Sequence, residues 1–527
     1  MISSNEYGTC ADLITLAQPP SSPFQEAEER DRKGDLKGAA ELYRQLVKTY
    51  PEQAIAHHNF AIILRKLERQ EEALQQAKSA YSLSPDHPTI ALSLGLSLEN
   101  AGYLSDAEKL YRQALKLKPR YPAALNNLGR LLESQCQPVS ALEYLDKAFA
   151  LAPQDQDIRL NLANTLLSLG RPNDAHLVLS DSANSAIASN ALGIALYLQR
   201  DWHGASEHFR HAVTLSPNFS GAHENLALAL LHEQKFDEGW KEYDWRWKNP
   251  ENHLSPRKLK MPPWDGSPLQ NRHLLLHAEQ GFGDTIQFVR FGSLIKKKGG
   301  CITLAAQNEL LSLFSWLPWA DKIVSLDSYL PAADVHAPLG SLPALLDPNG
   351  EQVRMVVAYL LNHELQRETL DRDREFRIGL CWAGRERNTH DPYRNRSCPV
   401  EVFQAINRID GLRAISFLTG PASDAGVQLF EQPERKLESF LHTAREIMKV
   451  DLIITVDTAI AHLCGALGKP GIVILNYTAD WRWGDGNGTA PWYPSLEMVR
   501  QKTPGAWSSV FENVISIIEN KVRENQK

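Results

Sequence analysis

Between Pro119 and Pro153 the chain reads PRYPAALNNLGRLLESQCQPVSALEYLDKAFALAP, and this stretch is one period of a longer pattern. Prolines recur at Pro51, Pro85, Pro119 and Pro153, each 34 residues after the last, and again at Pro217. Small residues keep the same beat at Ala39, Ala73, Ala107, Ala141, Ala175, Ala205 and Gly239, in steps of 34, 34, 34, 34, 30 and 34. A third register, Ala61, Gly95, Gly129, Ala163, Gly193 and Ala227, carries the same four-residue slip. Three positions agreeing on one period and one deletion define a repeat. Each unit reads as two antiparallel helices that cannot bury their apolar faces alone, so about six of them must stack.

A 34-residue unit with small residues at the helix crossing and Pro near its end is the tetratricopeptide repeat pattern. An α-solenoid over residues 26–250 is therefore expected, after an N-terminal tail at 1–25, with a helix shortened around Ser180 to Ser189. Asn59, Asn127, Asn161 and Asn225 share one repeat position, with Ser93 and Ala191 in the other two repeats. On the first helix of each repeat these carboxamides either line a groove and bond an extended peptide backbone or bridge neighbouring repeats. At about 0.5–1.5 kcal/mol per hydrogen bond, four of them supply about 2–6 kcal/mol. That is enough to tether a protein without holding it permanently.

After Asp237, Trp240, Tyr243 and Trp247 fall at i, i+3 and i+7, an aromatic stripe expected to cap the array and seat the next domain. Residues 251–270, rich in Pro, read as a linker.

The 527 residues are 43% hydrophobic and 23% charged, enough for several cores and unlike a disordered or fibrous chain. A net charge of −7 gives no whole-chain attraction to nucleic acid or an anionic membrane. Six scattered cysteines without a C-x-x-C pair read as reduced thiols. Residues 1–23 lack a basic n-region, and the apolar stretch from Asp451 to Leu475 is broken by Asp457, His462 and Lys469. No membrane span and a cytoplasmic setting are the expectation.

The second half alternates strand and helix. His273–His277, Cys301–Ala305, Lys322–Leu326 and Asp334–Pro338 read as strands in one block, with Arg377–Trp382, Ala414–Thr419, Leu452–Val456 and Gly471–Asn476 in the next. Val400–Arg408 and Thr458–Leu467 read as helices. Two doubly wound, Rossmann-like α/β domains follow, over residues 271–370 and 371–527. Ligands in such sheets bind at the carboxyl ends of strands, so the cleft between the two domains is the expected site.

Three motifs fail on inspection. Gly281-x-Gly283 has only the first half of the dinucleotide fingerprint, because position 286 is Ile. Gly465-Ala-Leu-Gly468-Lys469-Pro470 has its glycines too close for a phosphate loop. Asp371-Arg-Asp373 follows a polar helix rather than ending an apolar strand, and His57, His58, His203, His208 and His211 read as surface residues.

The strand ends carry more. Gly281 and Gly283, after Gln280, open a turn whose amides can face a polar acceptor. Asp284 is either the N-cap of the next helix or a general base toward an acceptor hydroxyl, and Glu279 is a rival base. In the second block, Asp457 can accept from ribose hydroxyls, while Thr458 and the Ala459 amide hold a phosphate at a helix N-terminus. His462 either touches that phosphate or satisfies a helix contact. Arg394 and Arg396, in the loop after Gly384, either neutralise a diphosphate leaving group or lie solvated.

The segment from about His273 to Trp507 resembles the catalytic domain of bacterial tetratricopeptide-repeat glycosyltransferases of GT-B fold, relatives of the ADP-heptose:lipopolysaccharide heptosyltransferases. The matching residues are Ala278 to Arg290, Ser341-Leu-Pro343, Gly379 to Gly384, Arg394-Asn-Arg-Ser397, Asp451 to Pro470, Asp480-Trp-Arg-Trp483 and Pro491-Trp-Tyr-Pro494. By that resemblance Asp284 is the base, Asp457, Thr458 and His462 bind nucleotide, and Arg396, three before Pro399, contacts donor phosphates. In layout the chain is also similar to the O-linked N-acetylglucosamine transferases, and most of all to the flagellin glycosyltransferases of alphaproteobacteria, which use a nonulosonic acid. The resemblance implies an inverting, metal-independent enzyme with a nucleotide-sugar co-substrate, no cofactor and flagellin as protein acceptor. A non-catalytic scaffold, or a transferase acting on glycolipid, are the other readings.

Overall fold

The structure, a computed structural model, describes residues 21–182, 184–250, 259–349, 351, 356–368, 375–384, 395–419 and 429–525. It falls into two compact units, Met1–Ala183 and Asn184–Lys527.

The first unit is a solenoid of ten helices: α1 (Ser21–Arg32), α2 (Leu36–Thr49), α3 (Ala54–Lys66), α4 (Gln70–Leu83), α5 (Pro88–Asn100), α6 (Leu104–Leu117), α7 (Pro122–Ser134), α8 (Pro138–Leu151), α9 (Gln156–Ser168) and α10 (Pro172–Leu179). From α3 onward the first helix of each repeat has 13 residues, and α2, α4, α6 and α8 have 14 each. The deletion read from the sequence lands on α10, cut to 8 residues. Between the two helices of successive repeats one residue takes positive φ: Gly34, Glu68, Gly102, Cys136 and Gly170. The left-handed turn is thus fixed by the repeat even where the residue is not Gly. The helices of a repeat cross where the sequence keeps a small residue. A Cβ on Gly95 would lie 2.6 Å from the Tyr111 ring, and one on Gly129 would lie 2.5 Å from Leu145.

The second unit opens with two more repeats, α11 (Ala186–Leu198) with α12 (Trp202–Leu215) and α13 (Ser220–His232) with α14 (Phe236–Tyr243). They cross in the same way, Gly193 lying against Phe209. Trp240 and Tyr243 are buried as the aromatic stripe implies, but the helix ends at Tyr243. A 3₁₀ turn, Asp244–Trp247, then turns Arg246 inward instead of Trp247.

Two sheets follow. The first contains β1 (Gln270–His277), β2 (Gly299–Ala306), β3 (Lys322–Ser325) and β4 (Val335–Pro338), all parallel, in the order β3-β2-β1-β4. The second contains β5 (Phe376–Cys381), β6 (Leu412–Ser416), β7 (Leu452–Val456), β8 (Gly471–Leu475), β9 (Gly488–Ala490) and β10 (Tyr493–Arg500), ordered β6-β5-β7-β8-β10-β9. It is parallel except for the β9–β10 pair. Strands β7 and β8 read Leu-Ile-Ile-Thr-Val and Gly-Ile-Val-Ile-Leu and are buried throughout, as parallel strands covered on both faces must be.

Leu231, Trp240, Leu276, Ile286, Ile453 and Trp481 belong to one continuous core, which runs from the last repeat through both sheets. A second core lies under the C-terminal helix Trp507–Asn525 on the other side of the second sheet. No helix among the described residues is long and apolar enough to cross a membrane.

His58 is buried rather than on the surface, with neither ring nitrogen hydrogen-bonded. Burial lowers its pKa to about 3, and burial does the same for His232 of α13. Both groups are protonated near pH 6.5 when unfolded but stay neutral when folded. Their contribution to stability is therefore intact above pH 6.5 and is lost as pH falls from there toward 3. Urea melts at pH 7.5 and 5 should show this loss, up to about 1.4 kcal/mol per pH unit for each histidine. Gly193→Val should cost about 1–3 kcal/mol by forcing Phe209 out of place, read as a lowered denaturation midpoint.

Candidate active site

Among its parallel strands each sheet has one point where chain order reverses, between β1 and β4 in the first and between β5 and β7 in the second. The loops leaving those strand ends are where such sheets bind ligands. They carry Glu279 to Asp284 and Gly340-Ser341 on one side, Gly384 and Asp457-Thr458 on the other. The structure brings the two sets together. A Cβ on Gly283 would lie 2.7 Å from Cδ2 of His462, so only glycine lets the first loop approach the second domain this closely.

Asp284 is the third residue of the helix Phe282–Phe288, not its N-cap; Gly281 holds that place. Its Oδ2 accepts from the Gly281 amide at 3.1 Å and its Oδ1 from Arg482 Nη2 at 2.8 Å. The Asp284 side chain remains 30% exposed. Arg482 stands on a turn after β8 and is buried. It also donates to Gln287 Oε1 at 2.7 Å and to Asp480 Oδ1 at 2.9 Å. Burial alone would raise the Asp480 carboxyl, but the Arg482 guanidinium and amide outweigh it and hold Asp480 below the usual range.

Glu279 leaves β1 into a different setting. Arg246 donates to its Oε1 from Nη2 at 2.8 Å and from Nε at 3.2 Å, and the Glu279 side chain is 4% exposed. Burial pushes its carboxyl up to about 7, against the opposing pull of Arg246. Gln280 is held by the Tyr243 hydroxyl and, through its carbonyl, by Gln307 Nε2 at 2.9 Å.

In the second domain Thr458 caps the helix Ala459–Ala466, its hydroxyl accepting from the Ile460 amide. A Cβ on Gly384 would lie 3.3 Å from the Thr458 methyl, and the Gly384 amide donates to Ser397 Oγ at 3.3 Å. Asp457 is buried and accepts from Arg396 Nη1 at 3.1 Å; the Asp457 carboxylate holds the Arg396 guanidinium above its usual range. The two donor-side residues read separately from the sequence are thus a pair. Arg394 and the Asp371-Arg-Asp373 triplet lie outside the described residues. Among the described residues no cluster of three His, Cys, Asp or Glu is disposed to hold a metal.

His462 is buried and its Nδ1 pairs with the Tyr493 hydroxyl at 2.8 Å. Burial, reinforced by the nearby Arg482 cation, lowers its pKa to about 3. It is therefore a neutral ring at working pH and brings no positive charge to a phosphate.

The repeat asparagines divide. Asn161 donates to Asn126 at 2.9 Å, and Asn225 to Asn190 at 3.0 Å, each bridging to the preceding repeat. Asn127 is wholly buried with neither amide atom hydrogen-bonded, and Asn59 is 9% exposed. Bridging accounts for two of the four, and Asn127 does not face an open groove.

Sequence reasoning missed Arg482 and Arg246 as site residues. Both stand between aromatics, in Trp481-Arg482-Trp483 and Trp245-Arg246-Trp247, and an arginine so flanked is a candidate for burial.

Residues 24–88, 92–155 and 134–186 match tetratricopeptide repeat models, and residues 437–512 match the glycosyltransferase family 9 (heptosyltransferase) model. The chain is 22% identical over 503 residues to Protein FlbA of Caulobacter vibrioides, covering 81% of this chain and 83% of that protein. It is 27% identical over 175 residues to the Protein O-mannosyl-transferase TMTC3 of Homo sapiens, covering 30% of this chain but only 19% of that protein. Among solved structures it matches YrrB, a TPR protein with an unusual peptide-binding site, at 23% identity and a TM-score of 0.29, over 35% of this chain and 96% of that one. Tetratricopeptide repeats thus precede a segment matching glycosyltransferase family 9, and that segment contains Asp457, Thr458 and His462.

Proposed function

We propose that the protein is a protein O-glycosyltransferase of GT-B architecture, moving a sugar from a nucleotide-sugar to a Ser or Thr hydroxyl of a polypeptide held by the repeats. Flagellin is the acceptor suggested by the resemblance of the chain to flagellin glycosyltransferases. The observation that carries the reading is the approach of the Gly281–Asp284 loop to the Asp457–His462 segment across two sheet switch points. A donor on one loop would meet an acceptor on the other.

Asp284 serves as the base, because its side chain keeps exposed surface while Glu279 is sealed beneath Arg246. Its carboxylate takes the hydroxyl proton as the acceptor oxygen bonds to the anomeric carbon. The bond from that carbon to the phosphate oxygen breaks, and the nucleotide departs with its electron pair. Attack from the face opposite the leaving group inverts the anomeric centre. Arg396 and the amides at the start of Ala459–Ala466 are placed to meet the developing phosphate charge, Arg396 exchanging part of its pairing with Asp457. The metal independence proposed here rests on the resemblance alone.

Asp284→Asn should lower kcat about 10²–10⁴-fold while nucleotide-sugar affinity stays within about threefold, as loss of a general base requires. Transfer to purified flagellin, followed by intact mass, together with calorimetric titration of the donor, checks both; unchanged turnover removes Asp284 as base. Arg396→Met should weaken donor binding by about tenfold or more with little effect on acceptor KM, as loss of a charged contact of roughly 1.5–3 kcal/mol implies. A panel of UDP-, GDP-, ADP- and CMP-sugars that all fail to bind the wild-type protein would leave the scaffold reading instead.

A further inference from the structure

The mechanism above leaves one buried acid without a task. Glu279 sits at the switch point of the first sheet, two residues before the Gly281 loop, and its partner comes from the repeats. Arg246, on the turn after α14, is fully buried. Its Nη2 donates to Glu279 Oε1 and, at 2.8 Å, to Ser341 Oγ in the loop after β4. Its Nη1 donates at 2.8 Å to Asp244 and at 3.1 Å to the Tyr243 carbonyl. Ser341 in turn donates to Asp244 at 2.8 Å. One guanidinium therefore laces together the last repeat and both loops that leave the first sheet's switch point. The fit is tight: a Cβ on Gly340 would lie 2.3 Å from Glu279 Oε1 and 3.3 Å from Arg246 Nη2. Beside it, Tyr243 of the same repeat pairs with Gln280.

We infer that Arg246 and Glu279 are positioning residues: the last repeat, through this ion pair, sets the backbone of the loop that presents Asp284. The inference rests on the glycosyltransferase reading and deepens it, since it makes the end of the repeat array a part of the catalytic machinery as well as a tether. A planar fork donating to two loops fixes direction as well as distance, which an ammonium cannot do.

Protonation of Glu279 removes its charge and so weakens its pairing with Arg246. The charged groups that act on Glu279 are Arg246 and Asp244 from the last repeat and Asp284 from the following helix. With its carboxyl raised to about 7, the pair is complete above that pH and weakens below it.

The test uses the full chain, the best-bound sugar nucleotide of the panel and purified flagellin, with kcat and KM measured from pH 5.5 to 8.5. Arg246→Lys and Glu279→Gln should lower kcat about tenfold or more, as misplacement near the reacting atoms does. Donor affinity and acceptor KM should each move less than about threefold, since neither residue touches donor or acceptor. The wild-type rate should fall as pH drops through about 7, and Glu279→Gln should lack that step. Gly340→Ala, which crowds Glu279 without removing a charge, should reproduce the kcat loss if the Arg246 variant fails to fold. A loss confined to acceptor KM would assign the pair to tethering and overturn the inference, as would a pH step that survives in Glu279→Gln. Wild-type protein that binds donor but transfers nothing overturns the glycosyltransferase reading and this inference together. Wild-type transfer with unaltered kcat in all three variants overturns only the inference.

Discussion

A guanidinium taken out of water is tolerated only where carboxylates and carbonyls replace the lost solvation, and Arg482 meets that demand from both sides of the cleft. Asp480 comes from its own turn, while Asp284 and Gln287 come from the helix of the other domain. The apolar walls of Trp481 and Phe288, 4.6 and 5.5 Å from the charge, keep water out and raise the cost of losing any partner. That single demand fixes three things at once: the turn after β8, the start of the Phe282–Phe288 helix, and the direction of Asp284. With Oδ1 committed to Arg482 and Oδ2 to the Gly281 amide, the carboxylate has one orientation. The Asp284 side chain nevertheless keeps 30% of its surface exposed.

The same dryness decides what His462 can do. Gly283 lies close to its ring from one loop, Tyr493 pairs with its Nδ1, and burial lowers its pKa to about 3. His462 is thus packed with Gly283 on one side and Tyr493 on the other.

Much of the fold was legible because it is periodic. The repeat turned on spacing alone, and even the four-residue slip fell on a single helix, α10. The eight strands read from apolar runs all exist, most within two residues of their read bounds. The β9–β10 pair and the long final helix escaped, because Pro491 and Pro494 break the run that would announce β10 and the helix carries many polar residues on its outer face. The turn read at Gly281 and Gly283 and the strand end read at Asp457 do lie just beyond β1 and β7. What the sequence could not show is pairing at long range. Arg482 lies 198 residues from Asp284 and Arg246 lies 33 from Glu279, and neither separation leaves a local pattern. Asn127 and Asn161 look equivalent in register, yet one is sealed and the other bridges repeats, because neighbouring side chains rather than register decide exposure.

The position of the shortened helix bears on how the chain is organised. The division into two units falls immediately after α10, at Ala183 and Asn184, so α11 to α14 are counted with the sheets and not with the other repeats. Their chemistry agrees. The Leu198 carbonyl accepts from Thr478, and Arg200 pairs with Asp485 of the loop before β9. Trp240 meets Trp481 edge-on at 5.2 Å while its indole N–H donates to the Pro348 carbonyl. Ala227, Leu231 and Phe236 share the core of the two sheets. Repeats so bound cannot be exchanged like beads on a string, since they share one core with the two sheets. The last two repeats are therefore better counted with the two sheets, and the boundary between the compact units falls inside the repeat array instead of at its end.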